Sequence, residues 1–396
     1  MPNKVILVEN TGIKDLMMNS IESVLKTIMH EEPDRVPIGE WGIDHDHVSK
    51  ILGRQTYWRN RKESTLALWQ GKRDEVVESL KNDCAEFVDK LEYDIITVEL
   101  VPHRGFRVLD VPKQIEDGVW QDSKGNIFKY AASNDSIVSM TSRPEKTKFS
   151  DSEIENLTND LCNIDNSEFE LIDFVCQKFR NKKAIVIRSV NLYESILNLF
   201  GGDQAHQLMM TVINPEQIKN VGCAMFARCL KLIKMCKERG VTIFMCGQDF
   251  GGKNACLISP KQIRQLFMPF LKMFCDEVSS NGMIPFHHCC GNVWDIMQDF
   301  VDVGFKGYQS IQSTAGMDIA RLKKEYGRKI TLWAGIQCET LVEGTKEDIR
   351  KEVEDSLKVA MPGGGFIFGS TNSVQYGAKT ENYLYALDIV RKLGKY

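Results

Sequence analysis

Eight short apolar segments, each followed by a stretch with helical spacing, restrict this chain of 396 residues to a small number of folds. Each segment has the length and the β-branched or aromatic content of a buried strand. The segments end at Glu40, Glu99, Arg188, Cys246, His288, Gln312, Gln337 and Ser370. Parallel strands that alternate with helices form α/β sheets, and eight such units are typical of a (β/α)8 TIM barrel. We therefore predict this barrel.

The barrel is predicted to carry two additions. Residues 1–20 read as a polar N-terminal leader, and a helix over residues 21–30 opens the domain, which extends over residues 21–396. Residues 118–130 alternate on both sides of a Gly-containing turn, which predicts a β-hairpin within a rim excursion of about residues 104–150. The aromatic residues of this hairpin either form a contact surface for a partner protein or pin the hairpin to the barrel. These residues are Trp120, Phe128 and Tyr130.

Composition and charge exclude several classes of partner. The net charge is −4 and the basic residues are scattered, which argues against nucleic acid and anionic membranes. No segment approaches the roughly 20 apolar residues of a membrane span. The 12 cysteines lack a CxxC pair and no apolar signal region is evident, so we expect a cytoplasmic protein. This cysteine content suits an anaerobic cell, and the expected ligand is a small molecule, with oligomerisation left open.

Residues 286–292 place two His and two Cys at the end of the fifth predicted strand. Side chains alternate in an extended segment, so His288 and Cys290 face one side while His287 and Cys289 face the other. A His-x-Cys pair suits a tetrahedral metal with nitrogen and sulfur ligands, for which zinc is the ordinary occupant. The alternative is that these are buried thiols and core histidines.

Further short segments, spread over most of the chain, carry a family resemblance. They are residues 33–37, the loop from Asp249 to Pro260, His288-x-Cys290-Gly291-Asn292, Gly316-Met317-Asp318, Gly335-Ile336 and Thr380-Glu381-Asn382. With them the chain resembles the uroporphyrinogen decarboxylase superfamily, from about residue 32 to residue 393.

Two branches of this superfamily carry out different chemistry. True uroporphyrinogen decarboxylases have an arginine-rich segment after the first strand, whereas residues 40–45 of this chain contain no arginine. The His-x-Cys pair resembles instead the zinc-dependent methyltransferases that serve corrinoid proteins. This resemblance implies zinc, a corrinoid carried by a partner protein, and a methyl group moved between that corrinoid and a small substrate such as a methoxy compound. The second cysteine of coenzyme M enzymes is absent from residues 369–372.

The resemblance and the strand ends together suggest a role for each candidate residue. The expected metal ligands are His288 and Cys290, with Cys246 as the third and Glu99, Cys338 and Glu40 as alternatives. Glu99 and Asp249 are the expected catalytic residues, which handle a proton or orient the substrate. The expected substrate-binding residues are Glu40, His45, Arg188, Gln312 and Gln337. Two other functions stay open: a decarboxylase that uses Arg188 and Arg104 as carboxylate partners, and a binding module without catalysis.

Overall fold

The computed structural model of the protein describes residues 18–396, so most of the predicted leader, residues 1–20, lies outside the described part. The predicted first helix is present over Ser20–Ile28. It begins there because Asn19 and Glu22 form a capping box, in which each side chain accepts a hydrogen bond from the other residue's backbone.

The helices are α1 (Ser20–Ile28), α2 (His45–Leu52), α3 (Arg61–Trp69), α4 (Arg73–Lys90), α5 (Asp151–Cys162), α6 (Glu170–Phe179), α7 (Leu192–Asn198), α8 (Gln204–Ile213), α9 (Pro215–Arg239), α10 (Pro260–Leu266), α11 (Met268–Ser280), α12 (Met297–Val303), α13 (Ile319–Tyr326), α14 (Cys338–Glu343), α15 (Lys346–Ala360) and α16 (Thr380–Leu393). The strands are β1 (Ile95–Val98), β2 (Lys113–Glu116), β3 (Val119–Gln121), β4 (Ile127–Ala131), β5 (Ser136–Ser139), β6 (Ala184–Val190), β7 (Ile243–Gly247), β8 (Ile284–His288), β9 (Gly307–Gln309), β10 (Thr331–Ile336) and β11 (Phe366–Ser370). Within residues 18–396, no helix combines the length and the apolar character needed to cross a membrane.

Seven parallel strands form the main sheet, in the order β1-β6-β7-β8-β9-β10-β11. Consecutive strands along the chain are neighbours in this sheet, as expected when helical crossovers connect parallel strands. The predicted alternation of strands and helices is therefore confirmed, and seven of the eight predicted strands are present in a curled sheet.

The first predicted strand, residues 35–41, is not a regular strand. It makes an isolated parallel bridge from Ile38 to Phe368. Pro37 accepts a hydrogen bond from the Phe368 amide of β11 at 2.8 Å, and Ile38 accepts one from the Ile95 amide of β1 at 3.3 Å. Pro37 has no amide hydrogen, which limits regular pairing here. This short segment thus hydrogen-bonds to the two strands that end the sheet, β1 and β11.

A separate antiparallel sheet contains β2, β3, β4 and β5 in sequential order. Residues 118–130, where a hairpin was predicted, hold β3 and most of β4, and the flanking strands β2 and β5 were not predicted. Trp120 is 6% exposed and meets the Trp69 ring of α3 edge to face, with centroids 5.9 Å apart. Trp120 therefore packs the hairpin against α3 and does not form part of an exposed contact surface.

Side chains fill the space enclosed by the main sheet. Phe286 and Trp333 are fully buried there, with Met245 and Val186 from neighbouring strands. A larger apolar cluster lies between the strands and the surrounding helices. Because strand side chains alternate between these two layers, each strand sends a fixed set of residues toward the enclosed space. The candidate site lies at the carboxyl ends of these strands.

Candidate active site

His288 and Cys290 face the same side of the sheet, as strand alternation predicts. His287 and Cys289 face the other side of the sheet, where Cys289 is fully buried. The fully buried ring of His287 packs against Phe300 and Phe305, with ring centroids 4.3 and 4.6 Å away. His287 and Cys289 are thus core residues, and the other pair is available for chemistry.

Asp249 joins this pair and completes a group of three potential metal ligands. Its Oδ1 lies 3.9 Å from His288 Nε2 and accepts a hydrogen bond from the Cys290 amide at 3.0 Å. His288 Nε2 is 3.4 Å from Cys290 Sγ, and all three ligand atoms lie within 4.8 Å of one another. One nitrogen, one sulfur and one oxygen ligand suit zinc, and catalytic zinc sites commonly use three protein ligands. In the described part of the chain this is the group that could hold a metal ion.

Two glycines bring the loops that carry Asp249 and Cys290 into backbone contact. A side-chain carbon at Gly251 would lie 2.4 Å from the Cys290 carbonyl oxygen. Gly291 has a positive φ of 77°, and a side-chain carbon there would lie 2.3 Å from the Gly251 carbonyl oxygen. Only glycine permits this approach, because any larger residue would push the two loops apart.

Gln309 fixes the orientation of the His288 ring. Its amide nitrogen donates to the Asn372 carbonyl at 2.8 Å and lies 3.4 Å from the Ser370 carbonyl. Its amide oxygen therefore faces His288 Nδ1 as an acceptor. This pattern assigns the imidazole hydrogen to Nδ1 and leaves the Nε2 lone pair directed at the metal-ligand group.

The electrostatics of the group favour a cation. Burial lowers the pKa of His288, so its imidazole is neutral near pH 7, as a metal ligand must be. Burial, followed by the negative charge of Asp249, raises the pKa of Cys290 above the value of a free thiol. A divalent metal would reverse this effect and stabilise the thiolate. Asn372 also donates a hydrogen bond to Cys290 Sγ, at 3.1 Å. The donor set therefore fits a dication.

A pocket of about 490 Å³ opens onto the metal-ligand group. The Trp41 ring stacks on His288 with centroids 4.1 Å apart and an interplanar angle of 7°. Arg188 Cζ lies 5.0 Å from the centre of the same Trp41 ring, and its Nη2 is 3.2 Å from Glu99 Oε2. The predicted residues Glu99, Arg188, Asp249, His288 and Cys290 all line this pocket.

Two further arginines, which the sequence analysis missed, also line the pocket. Arg59 donates from Nε to Asp44 at 2.6 Å, and Arg61 donates to the Asn134 carbonyl at 2.9 Å. Arg59 lies in the connection between α2 and α3 and Arg61 is the first residue of α3, whereas arginines were sought directly after the first strand. The sequence signal was the Arg-x-Arg spacing in that connection.

Cys246, predicted as the third metal ligand, lies on the wrong face of the sheet. It pairs in register with His287 and its Sγ is 3.5 Å from His287 Nδ1, in the buried layer beneath the helices. Asp249 takes the third position instead. The alternative Cys338 is directed away as well, with its Sγ 3.4 Å from the Ser373 carbonyl.

Four of the five predicted substrate-binding residues serve structural contacts outside the pocket. Glu40 is 3% exposed and accepts hydrogen bonds from the Ser370 amide at 2.9 Å and the Ser370 hydroxyl at 2.6 Å. His45 Nε2 lies 3.0 Å from Asp135, so it links α2 to the turn between β4 and β5. Both lie near the end of the first predicted strand, but their side chains are engaged elsewhere.

Gln312 and Gln337 tie loops together. Gln312 accepts from the Gly291 amide at 2.8 Å, and Gln337 accepts from the Ser313 amide at 3.1 Å. The predicted strand through Gln312 ends three residues earlier, at Gln309, because the chain then turns into a short 3₁₀ segment. Gln309 thus occupies the position that was assigned to Gln312. Arg104, considered for a decarboxylase, is 74% exposed and pairs with Glu170.

A family model described as uroporphyrinogen decarboxylase (URO-D) matches residues 198–393. The resemblance seen in the sequence is thereby confirmed. This family segment contains Asp249, His288 and Cys290, while Trp41, Glu99 and the pocket arginines precede it.

Among solved structures, the chain is similar to a methyltransferase from Methanosarcina mazei, at 16% identity and a TM-score of 0.66. The similarity covers 95% of this chain and 99% of that one, and it shows a shared fold. A protein assigned as a vitamin-B12-independent methionine synthase from Listeria monocytogenes has 11% identity and a TM-score of 0.46, over 92% of this chain and 96% of that one. No curated protein matches the sequence.

Proposed function

We propose that the protein is a zinc-dependent methyltransferase of a corrinoid system, which moves a methyl group between a small methylated substrate and a corrinoid protein. The observation that carries this proposal is the group of Asp249, His288 and Cys290 at the base of an open pocket. The family of residues 198–393 and the fold shared with a methyltransferase agree with it. A cytoplasmic location belongs to the same proposal.

Asp249, His288 and Cys290 would hold the zinc ion. When bound, zinc supplies Lewis acidity toward a leaving oxygen or nitrogen, or lowers the pKa of a substrate thiol. Gln309 holds the His288 ring in the orientation that directs Nε2 at the ion. Trp41 covers one face of the same ring and excludes water from it.

Glu99 is the residue that we assign to proton handling. When the methyl group leaves a methoxy oxygen for reduced cobalt, the C–O bond breaks, the oxygen keeps the electron pair, and it needs a proton. The Glu99 side chain is 54% exposed in the pocket and pairs with Arg188 at 3.2 Å, which positions one carboxylate oxygen while the other stays accessible. The carboxylate would relay a proton from water to the leaving oxygen, and replacement by Gln would retain the shape and remove this relay.

The corrinoid would stay on its partner protein. We infer that residues 37–39 act as the eighth strand, because they hydrogen-bond to both β1 and β11 and so complete a (β/α)8 barrel. The interior of such a barrel is filled by side chains such as Phe286 and Trp333. A corrinoid can then approach only at the mouth, where a partner domain would present it.

Decarboxylation is a second candidate, which one specific observation favours. Arg59, Arg61 and Arg188 line the pocket and could bind the carboxylates of a decarboxylase substrate. Asp249, His288 and Cys290 have no evident task in that reaction, and for this reason we place methyl transfer first.

Metal analysis combined with a methyl-transfer assay tests the proposal. The purified protein should hold about one zinc per chain, and reduced cobalamin should accept a methyl group from a methoxy substrate. Glu99→Gln should fold normally, keep zinc and lose most of the transfer rate, while Glu92→Gln, on the remote Arg391 ion pair, should behave as wild type. A protein without zinc that releases carbon dioxide from a carboxylate would instead be a decarboxylase.

A further inference from the structure

We infer that the methylated substrate is an organic carboxylate with an apolar arm, in which the carboxylate binds three arginines and the arm fills a separate chamber beside them. This inference rests on the proposed methyl transfer and names its substrate class. Two features of the pocket carry it: guanidinium groups with free donors, and an apolar cavity that continues from them.

The three arginines offer more hydrogen-bond donors than the protein uses. Arg59 is engaged through Nε with Asp44. Arg61 donates through Nη1 to the Asn134 carbonyl, and its Nη2 lies 3.7 Å from Asp44. The side chain of Arg188 is 15% exposed, and its one charged partner among residues 18–396 is Glu99. A guanidinium carries five donors, and a carboxylate is the anion whose two oxygens match them in pairs.

An apolar chamber of about 200 Å³ lies beside these arginines. Its wall is formed by Leu68, Val76, Leu80, Leu100 and Leu171, and it shares Arg59, Arg61, Glu99 and Arg188 with the larger pocket. Apolar cavities of roughly 150 Å³ bind benzene, so this chamber has room for a phenyl or a branched alkyl group. The arginines therefore stand between the metal-ligand group and the chamber.

The distances limit the size of the substrate. The Trp41 ring centre is 4.1 Å from the His288 ring centre and 5.0 Å from Arg188 Cζ. His288 and Arg188 can be no farther apart than the sum of these distances. A carboxylate bound to Arg188 and a methylated heteroatom at the metal must therefore lie within a few bonds of each other, which the carbon next to the carboxylate satisfies. The matching molecule is an acid with a methylated heteroatom and an apolar group on the same carbon.

Three probe compounds separate these contributions. α-Methoxyphenylacetate has the carboxylate, the methoxy group and the apolar arm; methoxyacetate lacks the arm; and benzyl methyl ether lacks the carboxylate. Calorimetric titration of the zinc-loaded protein should show the tightest binding for α-methoxyphenylacetate. Loss of the carboxylate should weaken binding roughly tenfold to a hundredfold, as for other charge-assisted hydrogen bonds. Loss of the phenyl group should weaken it roughly tenfold.

Variants link each part of the ligand to a part of the protein. Arg188→Met should remove the preference for the carboxylate, and Arg61→Met, at a more exposed position, provides the same test if the first variant does not fold. Arg104→Met, on the exposed Glu170 ion pair, is the matched control and should bind as wild type. Leu68→Trp should fill the chamber, so that α-methoxyphenylacetate loses its advantage while methoxyacetate still binds.

The outcomes separate this inference from the proposed function. Equal affinity for benzyl methyl ether and α-methoxyphenylacetate, or an Arg61→Met protein that binds both as wild type, would overturn the inference. Selective binding without methyl transfer to reduced cobalamin would support the inference about the ligand and overturn the proposed transferase activity alone.

Discussion

The Trp41 indole lies parallel to the His288 imidazole, with centroids 4.1 Å apart, and the Arg188 guanidinium lies near the same indole. One aromatic side chain from the first predicted strand thus contacts both a potential metal ligand and a potential substrate-binding residue. A ring in contact with both side chains restrains them without donating a hydrogen bond to either.

Replacement of Trp41 tests this restraint. Trp41→Phe should retain the stacking on His288 and keep zinc, whereas Trp41→Ala should lower both zinc occupancy and substrate affinity, because His288 and Arg188 lose their common support. Zinc content by atomic absorption and titration with substrate measure the two effects. If Trp41→Ala keeps both at the wild-type level, the stacking has no functional role.

Two adjacent cysteines provide a matched pair for the metal site. Cys290→Ser should lose most of the bound zinc, because its Sγ lies 3.4 Å from His288 Nε2. Cys289→Ser should keep zinc but lower the free energy of unfolding by about 1–3 kcal/mol, because it places a hydroxyl in the apolar core. Zinc content and chemical denaturation distinguish the two. Equal zinc loss from both would contradict the extended geometry of this segment.

Gln309 should control metal affinity without contacting the metal. Gln309→Met retains the volume but removes the acceptor for His288 Nδ1 and the donor to the Asn372 carbonyl. We expect zinc affinity to fall roughly tenfold to a hundredfold, the usual effect of removing a residue that orients a metal-ligating histidine. Competition with a chelator measures this change. Gln298→Met, on the surface of α12, is the control and should leave the affinity unchanged.

Glu40 should make the stability of the protein depend on pH. Burial raises the pKa of Glu40 to about 8, although Ser370 donates hydrogen bonds that oppose this rise. Since the folded state then holds a proton that the unfolded state releases near pH 4.5, stability should fall as pH rises from 5 to 8. The expected slope is about 1.4 kcal/mol per pH unit.

Glu40→Gln removes the titrating group and should flatten this dependence, so the variant gains stability relative to wild type at pH 8. Denaturation midpoints at several pH values measure the difference between the two proteins. Parallel curves for wild type and Glu40→Gln would mean that the Glu40 carboxyl does not hold its proton in the folded state.

The seven strands of the main sheet could be predicted from the sequence because periodicity is a local property. Seven strands and the opposite faces of His287 and His288 followed from the spacing of apolar residues. The first predicted strand is not a regular strand in the structure, because Pro37 has no amide hydrogen and limits pairing there. The third metal ligand could not be predicted, because the face on which Cys246 lies depends on its register with β8, and register is a relation between distant segments.

The pocket was less predictable for the same reason. Arg59 and Arg61 reach it from the start of α3 and the residues just before that helix, and nothing in the local pattern relates this segment to the strand ends. Asn372 lies in the segment where a second cysteine was sought, and its amide meets Cys290 Sγ instead. Such contacts are set by packing over long sequence separations, which composition and spacing do not encode.

Gly251 and Gly291 would complicate any mutational map of this protein. Because each is in contact with the backbone of the other loop, every substitution at either position should separate Asp249 from Cys290. A saturation screen scored only by loss of activity would therefore give these two glycines the profile of metal ligands, although neither has a donor atom in its side chain. The substitutions tolerated at these glycines would depend on the spacing of the two loops. To separate the glycines from metal ligands, metal content must be assayed directly in a variant whose loop spacing has been partly restored by a compensating change.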